Sequence, residues 1–351
     1  MQIGNQDVQM FSRPYVIAEL SANHESDYDV AAKSVIAAKE AGASAIKFQA
    51  YTADTITLNS HSDYFQIKEG PWSGSTLFDL YRSASMPWSW YEDLFSLARD
   101  QGIDAFASVF DFSSVDLMHK LGAPAIKIAS FEIVDLPLIE YAASTGIPMI
   151  ISTGIANERE IGDAMEAASS NLGKSNIALL HCVSSYPALA SEYHLATIPH
   201  MAEKFEVPVG LSDHTIGNAT GAVAASLGAP IFEKHFTLDR DGGSADDFFS
   251  ADVQQFKQYV IDIGEGGEAI GGISFELKGS ESFNIKFRRS LFFVEGAPAG
   301  SAITREMIRS VRPGDGLPPK FHEALIGRKL ARDVSANSPV TLEDISGEID
   351  D

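Results

Sequence analysis

The chain has 351 residues, 48 acidic against 26 basic, a formal net charge of -22 and 45% apolar residues. That mix is globular, and the length allows one large domain with an appendage, or two domains. The acidic excess argues against a nucleic-acid partner or adhesion to an anionic membrane, since both call for basic surface. No apolar run reaches the ~20 residues of a membrane span. The opening MQIGNQDVQMFSRPYV lacks the basic and apolar regions of a secretory leader. The one cysteine, Cys182, leaves no intrachain disulfide and suits a reducing compartment, so a cytoplasmic location is expected.

In chain order, eight short apolar runs read as buried strands: 15–20, 45–51, 104–110, 125–130, 148–154, 177–182, 208–214 and 230–236. Helical patterns separate them at 27–41 (capped by Asp27), 87–101, 113–121, 135–145, 157–170, 192–205 and 215–228, and one near 250–271 follows the last strand. Regular alternation of strand and helix predicts a (β/α)8 TIM barrel over residues 1–272. A doubly wound sheet is the alternative, and the lack of an early G-x-G-x-x-G disfavours it. Residues 52–86 interrupt the pattern as a long irregular loop whose Trp72, Phe78 and Tyr81 suggest a packed lid. After a linker at 273–289, residues 290–351 read as a small β-rich domain of short strands and turns.

Barrel active sites lie at the C-terminal strand ends, where this sequence concentrates polar residues. Lys47 and Lys127, with Ser108, Ser130, Ser152 and Ser212, suit a phosphate cradle. A Schiff-base lysine is the rival chemistry, and spacing does not separate the two. His214 and His235 end the last two strands and are placed to share a divalent metal, or to be ordinary hydrogen-bonded histidines. His24 and His181 are lesser candidates. Glu19, Glu132 and Glu233 suit acid–base or orienting roles, and Asp246 and Asp247 lie in the loop after the last strand. Cys182 reads as a buried small apolar residue. Arg312, between turns of the small domain, suits capping a carbonyl or reaching a ligand.

The motifs IAELSANH, AIKFQAYTAD, AIKIASFE, ISTGIA, LLHCVSSYP, VGLSDHT and FEKHFTLDR occur in that order, followed by RRSLFF, SVRPGDGLPPKF and LIGRKLARDV. Together they resemble the sialic acid synthase family of phosphoenolpyruvate-condensing enzymes along essentially the whole chain. The resemblance implies a TIM barrel with a C-terminal antifreeze-like (SAF, β-clip) domain. It implies condensation of phosphoenolpyruvate with an acetamido sugar and water, releasing phosphate by C–O cleavage. Lys47, Ser108, Lys127, Ser130, Ser152, Ser184 and Ser212 then match positions that hold phosphoenolpyruvate. His214 and His235 match ligands of a manganese or magnesium ion. Glu19, Glu132, Tyr186 and Asp246 match positions around metal, water and sugar, with Glu132 the first choice for steering the water. Arg312 matches an arginine that one subunit of a domain-swapped homodimer extends into its partner's barrel. The opening MQIGN, the AELSANH text and the 70–90 segment resemble the branch using a 2,4-diacetamido-2,4,6-trideoxy hexose of altrose configuration. Ser108 stands where the family commonly has Thr, and Ser184 where some members have Asn. The text GGSADDFFS leaves Asp246 and Asp247 as rivals for one role. With the acidic residues spread outside, the mouth is expected to be cationic through Lys47, Lys127, Arg312 and a metal.

Overall fold

The computed structural model describes residues 1–70 and 72–347. The chain parts into two compact units, Met1–Gly271 and a second from Gly272 onward.

The first unit is a closed barrel of eight parallel strands: β1 Tyr15–Glu19, β2 Ala45–Ala50, β3 Asp104–Val109, β4 Ile126–Ile128, β5 Met149–Ser152, β6 Ile177–Cys182, β7 Val209–Asp213 and β8 Ile231–His235. They follow one another in chain order, and β8 closes on β1. All eight lie within the expected runs. The helices are α1 Tyr28–Glu40, α2 Tyr91–Gln101, α3 Phe112–Leu121, α4 Leu136–Ser144, α5 Glu158–Ser169, α6 Thr197–Phe205, α7 Ala219–Ser226 and α8 Val253–Ile270. Local chemistry sets their ends. Asp27 caps α1 by accepting from the Asp29 amide, and Asn157 and Glu160 close a reciprocal capping box on α5. Gly102 and Gly122 end α2 and α3 in the left-handed conformation that costs glycine least. Each such cap is worth about 1 kcal/mol.

Three helices, α2, α6 and α7, start four or five residues later than their patterns suggest. The stretch 215–218 is not helical, because Thr215 and Gly217 give their backbone to a polar cluster behind β7. A hairpin that the pattern did not reveal, Gln2–Ile3 paired with Gln6–Asp7, buries Ile3 and Val8. Its Gly4 has φ +52° and lies so near the Asp104 carboxylate that an added Cβ would come within 2.5 Å. Asp104 begins β3 and accepts from the Tyr15 hydroxyl that begins β1, so the hairpin lies at the N-terminal end of the barrel.

The 52–86 connection is more ordered than expected. It contains two short helices, Ala53–Ile56 and Leu77–Ala84. Thr76 starts the second by accepting from the Asp79 amide at 3.0 Å, a T-x-x-D cap signal that the aromatic content obscured. Phe78 is buried, and Tyr81 meets Tyr51 edge-on at 5.9 Å. Pro71 lies outside the described residues.

The second unit pairs β9 Ser290–Phe293 with β10 Ile308–Val311, antiparallel, around a core that includes Leu291, Phe293, Ile308, Leu325 and Val340. Within this unit, ahead of β9, Ile273, Phe275, Leu277, Phe283, Ile285 and Phe287 are exposed. Among the described residues no helix is long and apolar enough to cross a membrane.

Candidate active site

Side chains alternate across a strand, so residues two apart share a face. In β2 that face carries Lys47 and Gln49, in β8 Glu233 and His235. Adjacent strands then bring charged groups together inside the barrel. Lys47 Nζ lies 2.6 Å from Glu19 Oε2 and 3.8 Å from Glu233 Oε2, and donates to Ser108 Oγ at 2.9 Å. Lys127 Nζ donates to the Ile128 carbonyl at 2.9 Å. Ser212 Oγ donates to Glu233 Oε1 at 3.3 Å. All six side chains are buried.

This amends the expectation of a cationic mouth. Two lysines are present, but Glu19 and Glu233 offset them. Burial works against the Lys47 charge, yet Glu19 and Glu233 outweigh it and hold the ammonium above its usual range. Burial lowers Lys127. Burial pushes Glu19 up to about 7 against the pull of Lys47, with Glu233 adding to the rise.

Beyond this layer lies a ring of hydroxyls. The Gly154 amide donates to Ser130 Oγ at 3.2 Å, and Ser130 Oγ lies 3.6 Å from Cys182 Sγ. A Cβ on Gly154 would meet Ser184 Oγ at 2.2 Å and Ser130 Oγ at 2.7 Å, so only glycine fits between them. Ser152 Oγ is buried without a hydrogen-bond partner. Buried polar groups are normally paired, so this hydroxyl is left available for a ligand. Cys182 is buried as expected, but it lines the site.

Glu132 closes the short turn Ser130–Glu132 after β4. Its Oε2 is buried without a hydrogen-bond partner, and burial pushes the carboxyl up to about 7. Opposite, Gln49 donates to Glu19 Oε1 and to Ser21 Oγ, both at 2.8 Å, and Ser21 donates to Asp246 Oδ2 at 2.5 Å. Asp246 therefore faces the mouth. Asp247 accepts from Thr237 and the Ser244 amide and holds its own loop. Gln49, Ser21 and Gly154 deserve more weight than sequence reading gave them. The signal for Gln49 was its place two residues after Lys47 on one strand face.

His214 and His235 lie side by side with ring centres 5.4 Å apart. The Tyr186 ring covers both, at 4.4 Å and 5.8 Å. His214 Nδ1 donates to the Val183 carbonyl at 2.7 Å, and its Nε2 lies 3.5 Å from Ser212 Oγ. Burial works against a charge on this ring, but Cys182, the Val183 carbonyl and Glu233 outweigh it and hold His214 above the usual imidazole range. His235 Nδ1 is buried without a hydrogen-bond partner, 3.8 Å from Asp246 Oδ2. Burial and then His214 hold His235 well below the usual imidazole range, so it is neutral. Two imidazoles side by side fit a divalent cation, whose binding would displace the proton that the surroundings favour on His214. Among the described residues no group of three or more His, Cys, Asp or Glu side chains is arranged to hold a metal, so oxygen ligands from elsewhere would complete the sphere.

The lesser candidates point elsewhere. His24 Nε2 meets the Ala84 carbonyl at 3.2 Å and ties down the end of the lid helix. His181 Nε2 meets the Tyr193 carbonyl. Arg312 is exposed in the second unit, at a cis Arg312–Pro313 bond.

A parallel eight-stranded barrel that buries lysines, hydroxyls and two histidines at its strand ends has the architecture of a barrel enzyme. The NeuB family matches residues 34–274 and the SAF domain matches residues 288–346. The chain belongs to the NeuB family. It is 40% identical to a pseudaminic acid synthase of Helicobacter pylori over 96% of this chain and 99% of that protein. It is 39% identical to a pseudaminic acid synthase of Campylobacter jejuni (95% and 96%), and 32% to an N,N'-diacetyllegionaminic acid synthase of Legionella pneumophila (94% of each). Among solved structures it is similar to an N-acetylneuraminic acid synthetase of Leptospira borgpetersenii, with TM-score 0.71 and 30% identity over 82% of this chain and 95% of that one.

Proposed function

We propose that this protein condenses phosphoenolpyruvate with 2,4-diacetamido-2,4,6-trideoxy-L-altrose and water, giving pseudaminic acid and phosphate. The observation that carries the reaction is the buried Lys47 and Lys127 beside a ring of serine hydroxyls that includes the unpartnered Ser152. The choice of sugar rests on the full-length similarity to pseudaminic acid synthases, 39–40% against 32% for the diacetyllegionaminic acid synthase of Legionella.

Lys47, Lys127, Ser108, Ser130, Ser152, Ser184 and Ser212 hold the enol phosphate and fix its carbon 3 toward the sugar aldehyde. That positioning removes the entropic part of the barrier. His214 and His235 would hold a divalent cation, manganese or magnesium, which would supply Lewis-acid polarisation of the sugar carbonyl. Carbon 3 attacks the aldehyde carbon, forming the C–C bond, and positive charge develops at carbon 2. Water adds there and Glu132 takes its proton, a role that suits a carboxyl held near 7. The C–O bond to phosphate then breaks as the carbon 2 hydroxyl gives its proton to the departing phosphate, leaving a ketone and inorganic phosphate beside the two lysines, while the proton taken by Glu132 goes to the former aldehyde oxygen. Glu19, Gln49, Ser21, Tyr186 and Asp246 line the sugar side.

The enzyme works as a homodimer in the cytoplasm. The exposed apolar side chains of residues 273–287 support a partner surface, and Arg312 reaches the partner's site. An Arg312→Ala chain mixed with a Lys47→Met chain regains activity if sites are shared; no rescue refutes the sharing.

Phosphate release with a panel of acetamido sugars tests the main reading, with the product identified by mass and NMR. Equal or faster turnover of N-acetylmannosamine would overturn the choice of sugar. The lowered Lys127 supports one second reading, a Schiff-base aldolase, since an imine forms from the neutral amine. Borohydride trapping of a pyruvate adduct, with full activity in chelator, decides for it.

A further inference from the structure

The residues that alternate with the two histidines form a second polar assembly, on the outer side of the barrel wall. Strands β7 and β8 pair with Ser212 opposite Glu233 and Asp213 opposite Lys234. Ser212 and Glu233 meet inside the barrel. Asp213 and Lys234, one residue on, therefore point outward, directly behind the strand ends that carry His214 and His235.

There Lys234 Nζ lies 3.3 Å from Asp213 Oδ2, with 3% and 0% of the two side chains exposed. The ammonium also donates to the Thr215 carbonyl at 2.5 Å and the Gly217 carbonyl at 3.3 Å, so its three protons are all placed. It sits 4.8 Å above the Tyr259 ring of α8. Asp213 Oδ1 accepts from the Thr215 amide at 2.9 Å and hydroxyl at 2.8 Å, and Oδ2 from the Thr220 hydroxyl at 2.9 Å. The same backbone is held a second time. The Tyr193 hydroxyl donates to the Ser212 carbonyl at 3.1 Å and accepts from the His214 amide at 2.7 Å.

A buried ion pair gains little stability over well-packed apolar residues of the same size. Its geometry here does something packing would not. It ties the residue before one histidine to the residue before the other, and fixes the loop that follows His214. We propose that Lys234 and Asp213, with Tyr193, are positioning residues that set the separation and orientation of His214 and His235 for a divalent cation. This rests on the metal reading of those histidines.

The test is direct Mn2+ binding to the full-length protein without substrates, followed by the EPR signal of free Mn2+, beside thermal unfolding of the metal-free protein. The variants are the double Asp213→Asn/Lys234→Met and the single Tyr193→Phe, with His235→Ala as reference. The double variant is expected to fold and to bind Mn2+ about 10- to 100-fold more weakly, the usual effect of removing groups that orient metal ligands. Tyr193→Phe is expected to weaken binding in the same direction by less, and its small change carries the test if the double variant does not fold. A folded double variant, or failing that Tyr193→Phe, that binds Mn2+ like the wild type overturns this inference alone. Undiminished binding in His235→Ala overturns the metal reading and this inference with it.

Discussion

Lys47 and Glu19, paired side by side on β2 and β1, form a buried ion pair at 2.6 Å, and Glu233 approaches the same ammonium from β8. Removing one partner of a buried pair leaves an uncompensated charge, which costs about 3–5 kcal/mol. Lys47→Met is therefore expected to abolish phosphate release and also to lower stability by about that amount. Urea unfolding checks the second part. Unchanged stability would mean that water reaches Glu19 and Glu233.

Ser152 presents the opposite case. Its hydroxyl has no hydrogen-bond partner among the described residues, so Ser152→Ala is expected to leave stability unchanged or slightly higher. The Michaelis constant for phosphoenolpyruvate should rise roughly 10-fold, the scale of one lost charge-assisted hydrogen bond. A fall in thermal midpoint with normal kinetics would assign the hydroxyl to structure.

Glu132 gives a pH signature. Burial pushes its folded carboxyl up to about 7, from an ordinary value of 4.5, so the folded state holds the proton to higher pH than the unfolded one. Stability from this group is present at low pH and is lost as pH rises through about 7. Glu132→Gln keeps the neutral shape. It should match the wild type near pH 4.5 and exceed it in thermal midpoint at pH 8. The rate of the wild type should rise with pH through about 7, and that limb should vanish, with most of the activity, in the variant. A pH profile with the same limb in Glu132→Gln would remove Glu132 from the proton transfer.

Chelation tests the histidines. Dialysis against EDTA is expected to abolish turnover, and Mn2+ to restore it in the wild type. His214→Ala and His235→Ala should not recover at any Mn2+ concentration near the wild-type requirement. Full activity after exhaustive chelation would exclude the cation from the reaction.

Much of this arrangement is legible in the sequence, for reasons of geometry. Eight similar apolar runs separated by capped helices define the barrel, and barrel topology puts Lys47, Lys127, His214 and His235 at one end. Period-two alternation also sorts Asp213 and Lys234 from their neighbours, although their tie to one another needs the register of β7 on β8, which sequence does not display. The lid helix Leu77–Ala84 was hidden because its pattern is short and its loop long. The offset of the lysines was hidden for another reason. Glu233 lies 186 residues from Lys47 in the chain, and only barrel closure of β8 on β1 brings it within 3.8 Å.

That closure has a thermodynamic consequence. With Lys47 held by Glu19 and Glu233 and Lys127 buried in the same layer, the strand ends are close to electrically balanced before any substrate arrives. Entry of a multiply charged enol phosphate must then be accompanied by uptake of positive charge, as a cation, as protons, or both. Glu19 and Glu132, poised near 7, are ready acceptors. Calorimetric binding of phosphoenolpyruvate near neutrality should therefore give heats that vary with the ionisation enthalpy of the buffer, and the slope counts the protons captured.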